Sequence, residues 1–226
     1  ASVSVESSPP APGPWAAITR TTAAGYVATD VGCAAGTSAA ALDAFFADRV
    51  GPMLGEDYQH VYSLGGGRAL WLFQDVFIDP TGTATRLDQA QFVRNAALLQ
   101  DGACFTLYHR GSDVAAQSFE QGTGEQRLAT WFWPMGGEAV GNQVVVFWAE
   151  MRRDGYTPGP GDGLGWHPVR TWIGAYDSRT LQRLSFAPAP NPGVSPIYGY
   201  AVASQNGYSY LFGNTFEQNL VREGGY

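Results

Sequence analysis

From residue 57 onward, hydrophobic and polar residues alternate with a period of two, and the alternation is broken at intervals by short glycine-containing turns. Segments 57–64 and 68–75 flank Gly65-Gly66-Gly67, and segments 92–100 and 103–109 flank Asp101-Gly102, a hairpin dipeptide that favours positive φ. This predicts a four-stranded antiparallel meander. A second unit follows, with strands at 133–140 and 143–151 around Gly141-Asn142, then 168–177 and 181–188. A third begins at 198–204, turns at Gln205-Asn206-Gly207 and runs on through 208–216. Only the stretch 36–51 has a helical period: Thr37 or Ser38 can cap it, and Leu42, Phe45, Phe46 and Arg49 fall on one face.

The units repeat. Their second strands superpose as "LWLFQD", "VVFWAE" and "SYLFGN", which puts Asp75, Glu150 and Asn214 in one frame. The expected fold class is therefore all-β, a β-propeller of four-stranded antiparallel blades, with a β-sandwich of hairpins as the alternative. Two units and half a third make about half of such a ring, so the chain is expected to be a fragment ending inside a blade, with the remaining blades on a missing segment or on a separate, second polypeptide. The Ser/Pro/Ala-rich stretch 1–14 reads as a disordered leader, and 15–226 as the propeller domain. Residues around 15–30 are expected to supply the outer strand of the last blade.

The Gly65-Gly66-Gly67 hairpin carries the first chemical signal. With the turn centred on Gly66, paired residues have numbers summing to 132, and Asp57 faces Asp75 across the strands. Like charges so close repel, and the repulsion separates the pKa values of the two carboxyls. One ionised and one protonated carboxyl is what glycosidic cleavage requires, and close apposition leans toward a retaining mechanism. The opposite reading, two acids at a solvated strand end, needs no chemistry. Arg68 lies at the far end of the hairpin, too distant to neutralise either acid. The same arithmetic sets Trp133 opposite Glu150 and Tyr198 opposite Asn214, giving a polar cleft walled by aromatics. Glu138 falls on the other face of its strand. Asn95 is either a hydroxyl-orienting residue or a strand-edge amide.

Composition narrows the partners. A formal net charge of −7 and a pI near 4.8 argue against nucleic acid, whose phosphates need clustered Lys and Arg. With 13% aromatic residues the chain suits a polysaccharide, whose ring faces stack on side chains. No run is long enough to insert in a bilayer, and the leader implies a secreted or cell-surface protein, where Cys33 and Cys104 would form a disulfide rather than stay as thiols. His60, His109 and His167 have no metal-ligand spacing, and His60, alternating with Tyr58 and Tyr62, reads as packed. No metal site or other cofactor is expected, although an acidic propeller has room for a structural calcium.

The frame "DYQHVYSLGGGRALWLFQD", followed by "FVRNAALL" and "YLFGNT", resembles the five-bladed propeller glycoside hydrolases of actinobacteria that include endo-D-arabinanases, over about residues 55–220. The resemblance implies Asp57 and Asp75 as the catalytic pair, with Asp57 as nucleophile or base and Asp75 as acid, or the reverse. Where that family more usually reads Phe-Gly-Asp-Thr, this chain has Phe73-Gln74-Asp75-Val76, and its third unit has Asn214 in place of the acid. The expected function is thus a secreted glycoside hydrolase cleaving a cell-wall polysaccharide such as arabinan. The competing class is a non-catalytic carbohydrate-binding or interaction propeller.

Overall fold

The structure, a computed structural model, describes residues 19–47, 51–123, 130–153, 166–190 and 197–214. The expected leader and the residues after 214 lie outside them.

Three antiparallel sheets account for the described chain. The first contains β1 (Thr19–Thr21), β2 (Val27–Cys33), β3 (Met53–Gly65), β4 (Arg68–Ile78), β5 (Gln91–Asp101), β6 (Cys104–Gly111) and the two-residue β7 (Ala116–Gln117). Its order is β1-β2-β6-β5-β4-β3, with β7 also paired to β6. The second is the meander β8 (Thr130–Val140), β9 (Gln143–Arg152), β10 (His167–Asp177) and β11 (Arg183–Pro188). The third is the hairpin β12 (Ile197–Gln205) and β13 (Tyr208–Asn214). The fold is all-β, with the meanders where the period-two pattern puts them.

One strand is not where the sequence suggests. The N-terminal strand β2 pairs with β6 as the outer strand of the first sheet and not of the last. Its end sets Cys33 directly across from Cys104, and the two are joined by a disulfide that spans 71 residues of chain. The α-helix α1 (Ala39–Phe46) follows at once; Ser38 caps it by accepting from the Ala41 N–H at 3.2 Å. Arg49, expected on the same helix face, lies outside the described residues.

The sheets stack in series. Tyr62, Leu70, Leu72 and Ala97 of the first meet Phe132, Val144, Val146 and Trp148 of the second. The second presents Trp131, Met135, Phe147 and Met151 to Ile197 and the half-buried Tyr198 and Tyr200 of the third. On the far side of the first sheet, α1 covers Phe73, Ile78, Leu98 and Phe105 with Leu42, Phe45 and Phe46. Strand β8 is the shared plank, and its adjacent glycines serve opposite neighbours. A Cβ on Gly137 would sit 2.8 Å from the Tyr62 ring, and one on Gly136 would sit 2.8 Å from the Gly199 carbonyl oxygen. Any side chain at either position would push the sheets apart.

Candidate functional site

The β3–β4 hairpin keeps the predicted register only part of the way. Pairs from Ser63↔Ala69 to Gln59↔Phe73 have numbers summing to 132, but Asp57 pairs with Gln74, and Gly55 returns to Phe77. The slip arises from two compensating bulges, an extra residue at Tyr58 in β3 and another at Asp75 in β4. Both have positive φ, 36° and 42°, a conformation costly to side chains other than glycine. The expected direct opposition of Asp57 and Asp75 is thus replaced by a one-residue offset.

The bulge also decides where Asp75 points. Along β4, Leu70 and Leu72 face the second sheet, whereas Trp71, Phe73, Val76 and Ile78 face the helix side. Unbroken alternation would turn Asp75 into that helix-side core. As the inserted residue it instead joins Gln74 on the face toward β8, where the Gln74 amide donates to the Pro134 carbonyl at 3.2 Å. Asp57, paired with Gln74, shares this face and is exposed.

Asp75 accepts two hydrogen bonds on one oxygen. Arg94 Nη1 lies 3.0 Å from Oδ1 and the Trp133 indole N–H lies 3.2 Å from it. Among the described residues no donor reaches Oδ2, which is the oxygen left for another molecule. Arg94, with its side chain only 10% exposed, is clamped between the Phe92 and Trp131 rings, 4.9 and 4.4 Å from their centroids. Trp133 in turn meets Trp131 and Trp166 edge-to-face at 5.9 and 4.8 Å. A carboxylate, a guanidinium and three indoles therefore converge where the first two sheets meet.

The remaining expected residues fall around this group with altered partners. Trp133 pairs with Ala149, and Phe132 with Glu150, because a register shift between Pro134 and Gly137 moves β8 by one residue. Glu150 instead holds Arg170 at 2.9 Å and accepts from the Trp172 indole at 2.7 Å. In the third sheet the turn is Asn206-Gly207, two residues with φ of 54° and 78°. That turn sets Gln205 through Ala201 against Tyr208 through Phe212, and a bulge between Tyr198 and Ala201 then brings Tyr198 opposite Gly213 and Ile197 opposite Asn214. Tyr198 bonds through its backbone N–H and C=O to the Thr171 hydroxyl, and its own hydroxyl donates to the Pro190 carbonyl. Glu138 accepts from the Ser204 and Ser209 hydroxyls, tying β8 to the third sheet.

Asn95 is a joint between sheets. Fully buried, it donates to the Glu120 and Phe132 carbonyls, both at 2.8 Å, and accepts the Glu120 N–H at 2.8 Å. The amide has no remaining donor for a sugar hydroxyl. His60 packs between Tyr58 and Tyr62, and burial lowers its pKa to about 4. Among the described residues no three His, Cys, Asp or Glu side chains are grouped so as to hold a metal ion.

Arg94 is the site residue that the sequence reading missed, although a signal existed. Val93-Arg94-Asn95 in β5 and Val169-Arg170-Thr171 in β10 do the same work in successive sheets. In each, the arginine binds the acid of the preceding strand, Asp75 or Glu150. The next residue, Asn95 or Thr171, reaches the first strand of the following sheet, at Phe132 or Tyr198.

Comparison with known proteins agrees with this architecture. No curated protein matches the sequence. A crystal structure described as "a putative hydrolase from Bacteroides ovatus" superposes with a TM-score of 0.55 at 14% identity. The match takes in 92% of this chain and 56% of that one, so this chain spans little more than half the length of its structural neighbour. Such a likeness speaks for the fold alone. Residues 40–223 match the family described as "Domain of unknown function (DUF5005)", which takes in every site residue named above, and the chain belongs to that family.

Proposed function

We propose that the protein is a secreted glycoside hydrolase of propeller type, acting on a cell-wall polysaccharide of the arabinan class through Asp75 and Asp57. The observation that carries this reading is the bulge at Asp75. It holds a carboxylate in a costly backbone conformation, fixes one oxygen by two N–H donors and leaves the other, among the described residues, without a donor beside a cluster of indoles. Strain of this kind collects at functional sites, because a regular strand would have been cheaper. The indole cluster supplies the faces on which sugar rings stack. The name of the Bacteroides ovatus neighbour and the disulfide are consistent with an exported hydrolase.

In this proposal Asp75 is the nucleophile or base, since only Oδ2 is available and Oδ1 is saturated with donors. Exposed Asp57, on the same face, is the proton donor to the leaving oxygen. Trp133 has two functions: it orients Asp75 and presents its ring to the substrate.

Release of reducing ends from arabinan tests the reading. The wild type should release them, and Asp75→Asn should lower kcat by about a thousandfold or more while binding persists. Failure of the wild type on arabinan and related glycans would remove the enzymatic reading. That outcome would leave the non-catalytic carbohydrate-binding propeller, which one observation favours: Glu150–Arg170 repeats the acid–arginine pair with the acid at an ordinary strand position.

A further inference from the structure

Two residues of the β3–β4 hairpin hold the strain that sets its register, and only Asp75 has so far been given a role. The other is Tyr58, whose φ of 36° is more costly for a bulky aromatic than positive φ is for an aspartate. Most residues at positive φ in the described chain are glycines, and the remaining exceptions have visible reasons. Asn206 sits in the β12–β13 turn, where asparagine is at ease, and Leu181 is fully buried in the core between the first two sheets. Tyr58 has neither reason: it lies within a strand and is 54% exposed. Compensating the bulge at Asp75 calls for an extra residue at this point of β3, but not for a ring. Glycine would restore the register at less cost.

The ring has a definite place. Tyr58 meets His60 edge-on at 5.0 Å, and His60, paired with Leu72, belongs to the face toward the second sheet that Asp57 shares. His60 in turn stacks on Tyr62 at 6.3 Å, and the Tyr62 hydroxyl donates to the Met135 carbonyl of β8. The row thus runs from a buried tyrosine anchored on the second sheet, through a histidine that burial keeps neutral above about pH 4, to an exposed tyrosine next to Asp57 in the chain. An aromatic ring held by its backbone and by a packed neighbour, yet open to water, has little freedom left to lose on binding.

We propose that Tyr58 is a substrate-binding residue of this site, whose ring stacks on the apolar face of a sugar of the bound glycan beside Asp57. The inference rests on the reading of this face as a carbohydrate site, and it holds whether or not the glycan is cleaved. Each acid then has an aromatic partner of its own: Trp133 is hydrogen-bonded to Asp75, and Tyr58 adjoins Asp57. The strained backbone is the cost of turning a ring, and not a hydrogen atom, toward the ligand.

Calorimetric titration with soluble arabinan, together with initial rates on the same polymer, tests this role. Tyr58→Gly suits the backbone and removes the ring; it should weaken binding by about tenfold or more and raise KM in step, with kcat within about threefold of wild type. Its urea midpoint should not fall, because relief of the strain offsets the lost contact with His60. Tyr58→Asn, which also tolerates positive φ, should bind as weakly, whereas Tyr58→Phe keeps the ring and should bind within about threefold of wild type. Val61→Ala, at an exposed position on the opposite face of β3, should bind as the wild type does. Weaker binding by Tyr58→Gly supports the inference even where no reducing ends are released, a result that would end the hydrolase reading alone. Affinity for arabinan unchanged in both Tyr58→Gly and Tyr58→Asn, or a wild type that binds no arabinan, would overturn it.

Discussion

Asp75–Arg94 in the first sheet and Glu150–Arg170 in the second are the same device built twice, and they differ in what surrounds them. Glu150 and Arg170 are cross-strand partners beside a register shift at Val169 in β10, and the indole that completes the second pair, Trp172, comes from the same strand as Arg170. Asp75 is an inserted residue at φ 42°, and its indole, Trp133, comes from the neighbouring sheet. The arginines differ too, with side chains 10% exposed at Arg94 and 38% at Arg170. In the second sheet the irregularity falls on the arginine's strand, and the acid keeps its place in the strand alternation. What the first sheet adds is a carboxylate turned out of the alternation and presented at a seam between sheets.

The comparison can be broken most directly by activity. If the bulge is what makes the acid chemical, Glu150→Gln should retain activity on arabinan to within about tenfold, against the thousandfold loss expected of Asp75→Asn. Equal losses in the two variants would make the pairs equivalent. Stability should separate the arginines next. Arg94→Met strands Asp75 beside apolar rings and should cost about 3 kcal/mol by urea denaturation, whereas Arg170→Met should cost about 1 kcal/mol or less. The two joints should follow in the same order. Asn95→Ala leaves the Glu120 N–H and two carbonyls without a partner and should cost about 2 kcal/mol, with Thr171→Ala closer to about 1 kcal/mol.

The smallest effect is a pH dependence of the same seam. Glu120, which Asn95 holds by its backbone, is fully buried, and burial raises its carboxyl pKa above the usual range even though Arg183, 3.0 Å away, and Arg110 pull it down. A raised folded-state pKa means a contribution that is complete below the ordinary carboxylate range and lost as the pH rises through the folded value. Relative to Glu120→Gln, the wild type should therefore lose stability as the pH rises from about 4 to about 8. Parallel urea midpoints for the two proteins across that range would show that Glu120 does not titrate differently on folding.

The strands and most turns were legible because a period of two and glycine-marked turns are local properties of the chain. So was the Ser38-capped helix. The bulges were not. Tyr58 and Asp75 take up positive φ without a glycine to announce it. The register shifts moved each expected partner: Gln74 replaced Asp75 opposite Asp57, Phe132 replaced Trp133 opposite Glu150, and Gly213 replaced Asn214 opposite Tyr198. The placement of β2 on the first sheet was also hidden, because strand pairing across 71 residues leaves no local mark; only the two cysteines hinted at it. Arg94 was overlooked in favour of its neighbour Asn95, although the recurring Val-Arg dipeptide pointed to both sheets at once.

The Cys33–Cys104 bond also has a mechanical meaning. Tension applied to the N-terminal end can peel β1 and β2 from the edge of the first sheet, but the unravelling stops at Cys33. Beyond that point the load passes through Cys104 into β6, a strand bonded on both sides, and α1 and the hairpin bearing Asp57 and Asp75 lie within the closed loop. A tug that frays the edge cannot, while the bond is oxidised, draw those parts out from that end.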